Sequence, residues 1–133
     1  TLLLASGIGS RFSARFSART IFAVILLWLL AEIFVFGAVT NALSALSLLP
    51  RMLISAALLF PLGFFMGMPF PKAAMRIGEL VDWGFAVNGA ASVLGSTAIM
   101  LVAFSWGFQA ALLIGAGLYG LAGLFFARQK AWN

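Results

Sequence analysis

Cysteine and histidine are absent from the 133 residues, and only three side chains are acidic, Glu32, Glu79 and Asp82. Without His or Cys there is no Ser-His-Asp or Cys-His nucleophilic pair. Zinc, haem and iron–sulfur ligation through those side chains is excluded as well. Three acids are too few for a metal cage plus an acid/base pair. No catalytic residue, metal site or cofactor is therefore expected. Charged residues make up 8% of the chain and hydrophobic ones 64%; a soluble domain carries roughly 25% charged residues. A water-soluble fold of this length needs far more polar surface, and so apolar a chain is not disordered. The composition is that of an integral membrane segment.

What is present is a series of long apolar runs. The opening TLLLASGIGS is too short to span and precedes three arginines, the reverse of a signal peptide's order. It reads as the end of a helix belonging to a longer protein. Four runs follow, at about 20–39, 52–68, 83–105 and 108–127, each near the roughly 20 residues a bilayer core requires. The expected fold is all-α: a polytopic membrane helical bundle of four complete transmembrane helices plus an N-terminal helix stub, forming one membrane domain.

The basic residues set an orientation. Arg11, Arg15 and Arg19 precede the first run, Lys72 and Arg76 lie between the second and third, and Arg128 and Lys130 follow the fourth. If the spans alternate, these seven share one side and Arg51 alone takes the other. The positive-inside rule makes the seven-residue side cytoplasmic, with the C-terminus there too, in a plasma (inner) membrane. Trp83, Trp106 and Trp132 fall at interfacial positions; Trp28 lies deeper and reads as lipid-facing or packed. The net charge of +5 then reflects topology and attraction to anionic lipid. Nucleic acid is not an expected partner, because no basic face is interleaved with stacking aromatics.

Within a bilayer, helices associate through close contact at small residues. Gly63 and Gly67 form a GxxxG pair in the second run, Gly89 and Gly95 belong to a small-residue face of the third, and Gly120 to one in the fourth. Their plain role is packing against other helices of the same protein; self-association into a homo-oligomer is the sharper reading. Pro61 should kink the second run, and Pro69 and Pro71 should end it.

Few residues stand out as carriers of chemistry. Glu32 lies near the middle of the first run, where an ionised acid costs roughly 2.5–3.5 kcal/mol on insertion scales. It marks a substrate or proton pathway, or it is a neutral carboxyl hydrogen-bonded to a neighbouring helix. Asn88, Ser92 and Ser96 share a face at four-residue spacing; they line the same pathway or act as interhelical glue. The period-four repeat RFSARFSAR stacks Arg11, Arg15 and Arg19 on one helical face for contact with lipid head groups. The stretch 71–82 reads as a short surface helix with Lys72, Arg76 and Glu79 on one face. There Arg76 pairs with Glu79 and Asp82 caps the third run.

Residues 60–96, FPLGFFMGMPFPKAAMRIGELVDWGFAVNGAASVLGS, carry a P-x-G-x-x-M-G-x-P-F-P segment, Trp83, and Val87-Asn88-Gly89 followed by Ser92-Val93-Leu94-Gly95-Ser96. With WGFQAALLIGAGLY at 106–119, this pattern resembles the C-terminal membrane region of bacterial integral-membrane spermidine synthase-like proteins. The resemblance implies a non-catalytic membrane domain that anchors or partners a soluble aminopropyltransferase-like domain. Such a domain would hold a glycine-rich nucleotide loop and acidic substrate residues, none of which occurs in these residues. The alternative is a piece of a secondary transporter, since the Gly-Ser-Arg tract after a helix end is similar to the basic loops of major-facilitator carriers. In that case Glu32 and the Asn88 face line the pathway.

Overall fold

The computed structural model of the protein describes residues 1–128, so the expectations for Lys130 and Trp132 lie outside the described residues. The chain forms helix α1 (Leu2–Arg11), a 3-10 turn (Ser13–Arg15), α2 (Ala18–Ser44), α3 (Leu48–Met66), α4 (Pro69–Ile77), a second 3-10 turn (Gly78–Leu80), α5 (Val81–Trp106) and α6 (Phe108–Arg128). The fold is all-α, with no strand among the described residues. Three stretches are long and apolar enough to cross a membrane: Ala18–Val35, Leu48–Trp106 and Phe108–Arg128. The middle one, 59 residues long, contains α3, α4 and α5.

Local chemistry explains the boundaries. Ser17 is extended, and its hydroxyl accepts the Thr20 amide at 3.1 Å, capping α2. The break before it corrects the reading of the arginine repeat. Arg11 ends α1, Arg15 ends a 3-10 turn and Arg19 begins α2, so the three share no helical face. Phe12 and Phe16 govern this segment instead. Their rings pack on Phe64 and Phe65 of α3 at centroid distances of 5.9 and 5.5 Å. Burying two phenyl rings outweighs keeping a regular helix of exposed arginines.

Helix α3 continues through Pro61, which leaves the Ala57 carbonyl without its usual intrahelical donor. It ends at Met66, and Pro69 opens α4 at the first helical position, where its missing amide hydrogen costs nothing. The prolines therefore start a new helix after the second run. Helix α4 stops at Gly78, whose φ of 52° is open to glycine. That stop takes Glu79 off the helical face of Lys72 and Arg76. Asp82 lies in the first turn of α5, where it favours the helix dipole, but makes no side-chain cap. A single residue, Gly107 (φ 89°, ψ 165°), joins α5 to α6.

The principal helix contacts form an open series: α1 on α3, α3 on α2, α2 on α6, and α6 on α5. Helix α4 lies across one end, touching α2, α5 and the first 3-10 turn. The buried core follows the middle of the series. Ile21, Ile25 and Leu29, four residues apart on α2, meet Leu62, Met68 and Ala116. Helix α5 has no buried residue, and Phe104 is 84% and Trp83 69% exposed.

Candidate functional site

Two grooves flank α2, one near each end. The first, of about 940 Å³, lies where the start of α2, the end of α6 and α4 converge. Arg19 and Lys72 line it from α2 and α4, with Arg76 beside them, and Phe22 of α2 packs against Gly123 of α6 along its wall, with Gly120 a turn earlier. Arg76, itself exposed, rests on α6. Its guanidinium lies 4.1 Å from the centroid of the Phe126 ring and donates to the Phe126 carbonyl at 3.5 Å. The Arg76–Glu79 pair expected from spacing is thus replaced by a bond from α4 to α6. Beyond the helix stop at Gly78, Glu79 no longer shares the face of Arg76, and the Phe126 ring and carbonyl take the guanidinium instead.

The second groove, of about 400 Å³, opens between the later half of α2 and the middle of α3. Glu32 lines it with Trp28, Thr40, Ser55, Leu59 and Phe108. Glu32 is half-buried, and the Trp28 indole, one turn earlier on the same helix, is placed to donate to its carboxyl. The partner expected on a neighbouring helix is thus an indole on its own. Among the described residues no basic side chain lines this groove, whose polar groups beside the carboxyl are the Trp28 indole and the Thr40 and Ser55 hydroxyls. Chemically, the arrangement can take up and release a proton or hold a small cation.

Asn88, Ser92 and Ser96 line neither groove. They are exposed on α5, and the two hydroxyls donate to carbonyls of their own helix, Ser92 to Asn88 at 2.7 Å and Ser96 to Val93 at 3.0 Å. Within this chain, Glu32 and the Asn88 face do not meet.

The glycines divide in the same way. Gly63 lies against Ala5 and Leu2 of α1: a methyl group added to it would come 3.0 Å from the Ala5 methyl. At Gly67 such a group would come 2.6 Å from the Ser6 Cα. Reciprocally, a methyl group on Gly9 would strike the Phe64 carbonyl oxygen. Ala5 and Gly9 are the other half of this crossing, and their own small-xxx-small spacing in LASGIGS is the signal for it. Gly120 faces Leu26 of α2, 3.8 Å from where its Cβ would be, whereas Gly89 and Gly95 have nothing within 4 Å.

Two functional relationships lay outside the sequence reading. The i, i+4 spacing of Trp28 and Glu32 could have revealed their bond. No local pattern announces that Arg19, Lys72 and Arg76 share one groove; only their common side in an alternating topology hints at it. Comparison of the chain with known protein families, with curated proteins and with solved structures gives no match.

Proposed function

We propose that the chain is a non-catalytic membrane domain of a spermidine synthase-like protein, anchoring or partnering a soluble domain. In this reading α2, α3, α5 and α6 are four complete spans of a plasma (inner) membrane protein, and α4 lies on the cytoplasmic surface. A bilayer core accommodates roughly 20 helical residues per crossing, so a 59-residue stretch divided at Pro69 and Gly78 supports two crossings. The C-terminus is cytoplasmic by the distribution of basic residues. The observation that carries the proposal is the open series of helices. A row of this kind encloses no path of its own, and it leaves α5 to be covered by lipid or by further helices of the same assembly. The pattern in residues 60–96 supports the family.

The second reading, part of a secondary transporter, is favoured by one observation: Glu32 opens into a groove with no cation among its described lining residues. Further helices would have to complete the path and bring the Asn88 face to it. The test is to place the full-length protein in membrane vesicles and follow both aminopropyl transfer to a polyamine acceptor and solute uptake. An anchor retains transfer unchanged in the Glu32→Gln variant. Uptake abolished by Glu32→Gln selects the transporter. A full-length protein with no aminopropyl transfer overturns the family assignment.

A further inference from the structure

The groove at the α4 end is built from two unlike halves. Its rim is cationic, with Arg19 on α2 and Lys72 and Arg76 on α4, and no carboxylate is among its described lining residues. The rest of its lining is largely apolar and contains small residues, Ala23, Gly120, Gly123 and Ala127, beside Phe22 and Leu26. The missing side chains let α2 and α6 pack closely beside the groove: a Cβ built at Gly123 would stand 3.2 Å from Phe22, and one at Gly120 3.8 Å from Leu26. At about 940 Å³ the groove lies at the upper end of the roughly 300–1,000 Å³ typical of small-molecule sites.

We propose that this groove is a binding site for one anionic phospholipid, its phosphate held by Arg19, Lys72 and Arg76 and an acyl chain lying along Phe22, Leu26 and Gly120. Charge complementarity selects this occupant. Three cations from two helices, unbalanced by any lining acid, hold a phosphate through charge-assisted hydrogen bonds. The apolar wall below them runs along membrane-length helices, where a hydrocarbon chain is the available filler. Arg76, clamped to Phe126, gives the rim a preformed donor and limits the ordering that binding requires. A lipid seated there would touch α2, α4 and α6 at once, joining three segments at the end of the bundle.

The test uses the full chain, purified in detergent, stripped of lipid and titrated with phosphatidylglycerol or phosphatidylcholine, with bound lipid counted by native mass spectrometry. The expected result is one phosphatidylglycerol per chain, bound at least about tenfold more tightly than phosphatidylcholine, the scale of contacts to a charged group. The Arg19→Gln/Lys72→Gln variant should lose that preference, while Arg51→Gln, at the far end of the bundle, should keep it. Gly120→Leu fills the groove with every charge intact and should also lose the bound lipid, with helicity checked by circular dichroism. Equal retention of the two lipids overturns the proposal, as does equal loss in Arg51→Gln. So does full competition by water-soluble glycerol phosphate, which would leave the apolar wall unused.

Discussion

Gly67, which caps the end of α3, and Ser6 of α1 approach so closely that a Cβ on the glycine would stand 2.6 Å from the Ser6 Cα. The neighbour is backbone and cannot rotate away, so the helices themselves must separate. Gly67→Ala is expected to destabilise the protein in detergent by about 1–3 kcal/mol, the usual scale of overpacking. Gly89→Ala has open space around it and is expected to be neutral or to stabilise by up to about 1 kcal/mol through helix propensity. Unfolding curves of the two variants side by side check both statements.

The α5–α6 junction makes a separate demand. Gly107 combines φ 89° with ψ 165°, a region essentially closed to residues with a Cβ. Gly107→Ala should cost about 1–3 kcal/mol, although nothing lies within 4 Å of the added methyl. Strain without a clash can be tested by an insertion. One extra glycine after Gly107 should relieve the loss in Gly107→Ala, whereas it would not help if packing were the cause.

Since the native chain has no cysteine, single introduced thiols report position without background. In sealed vesicles, a thiol at Ser47 or Trp106 should react with a membrane-impermeant maleimide from one side, and a thiol at Ala14 or Glu79 from the other. All four reacting from the same side would exclude four alternating spans.

Arg76 offers a measurable contact between α4 and α6. Arg76→Ala removes both the stacking on Phe126 and the bond to its carbonyl, and exposed cation–π contacts are worth about 0.5–1 kcal/mol. The expected outcome is faster amide exchange across α4 with exchange in α3 unchanged. Arg76→Lys should restore part of the protection, because it keeps the charge but loses the planar fork.

Trp28 and Glu32 should behave as a coupled pair. Trp28→Phe removes the indole donor, and the protein should lose about 0.5–1.5 kcal/mol, the net worth of one hydrogen bond. A double-mutant cycle with Glu32→Leu is the measurement. A coupling energy indistinguishable from zero would mean that the indole does not hold the carboxyl.

The helices themselves were legible in the sequence because apolar runs of membrane length leave little else for the backbone to do in hydrocarbon. Expected runs at 20–39 and 108–127 became α2 and α6 with ends shifted by a few residues. What composition and spacing did not disclose were events decided by neighbours. Phe12 and Phe16 break the arginine repeat because α3 offers Phe64 and Phe65 as partners, and that information is some fifty residues away. Arg76 leaves Glu79 for Phe126 for the same reason. Glu32 was visible because its depth makes it costly, but its groove depends on where α3 places Ser55.

The open series of helices has two unlike ends, α1 at one and α5 at the other. Joining α5 of one copy to α5 of another is a two-fold operation and closes at a pair; joining α5 to α1 is head-to-tail and, unless rotation closes a ring, continues without limit. Any self-assembly of this chain therefore has a symmetry that reports how its edges are used: a discrete pair points to one edge meeting its own copy, and a ring or ladder of sizes points to both edges.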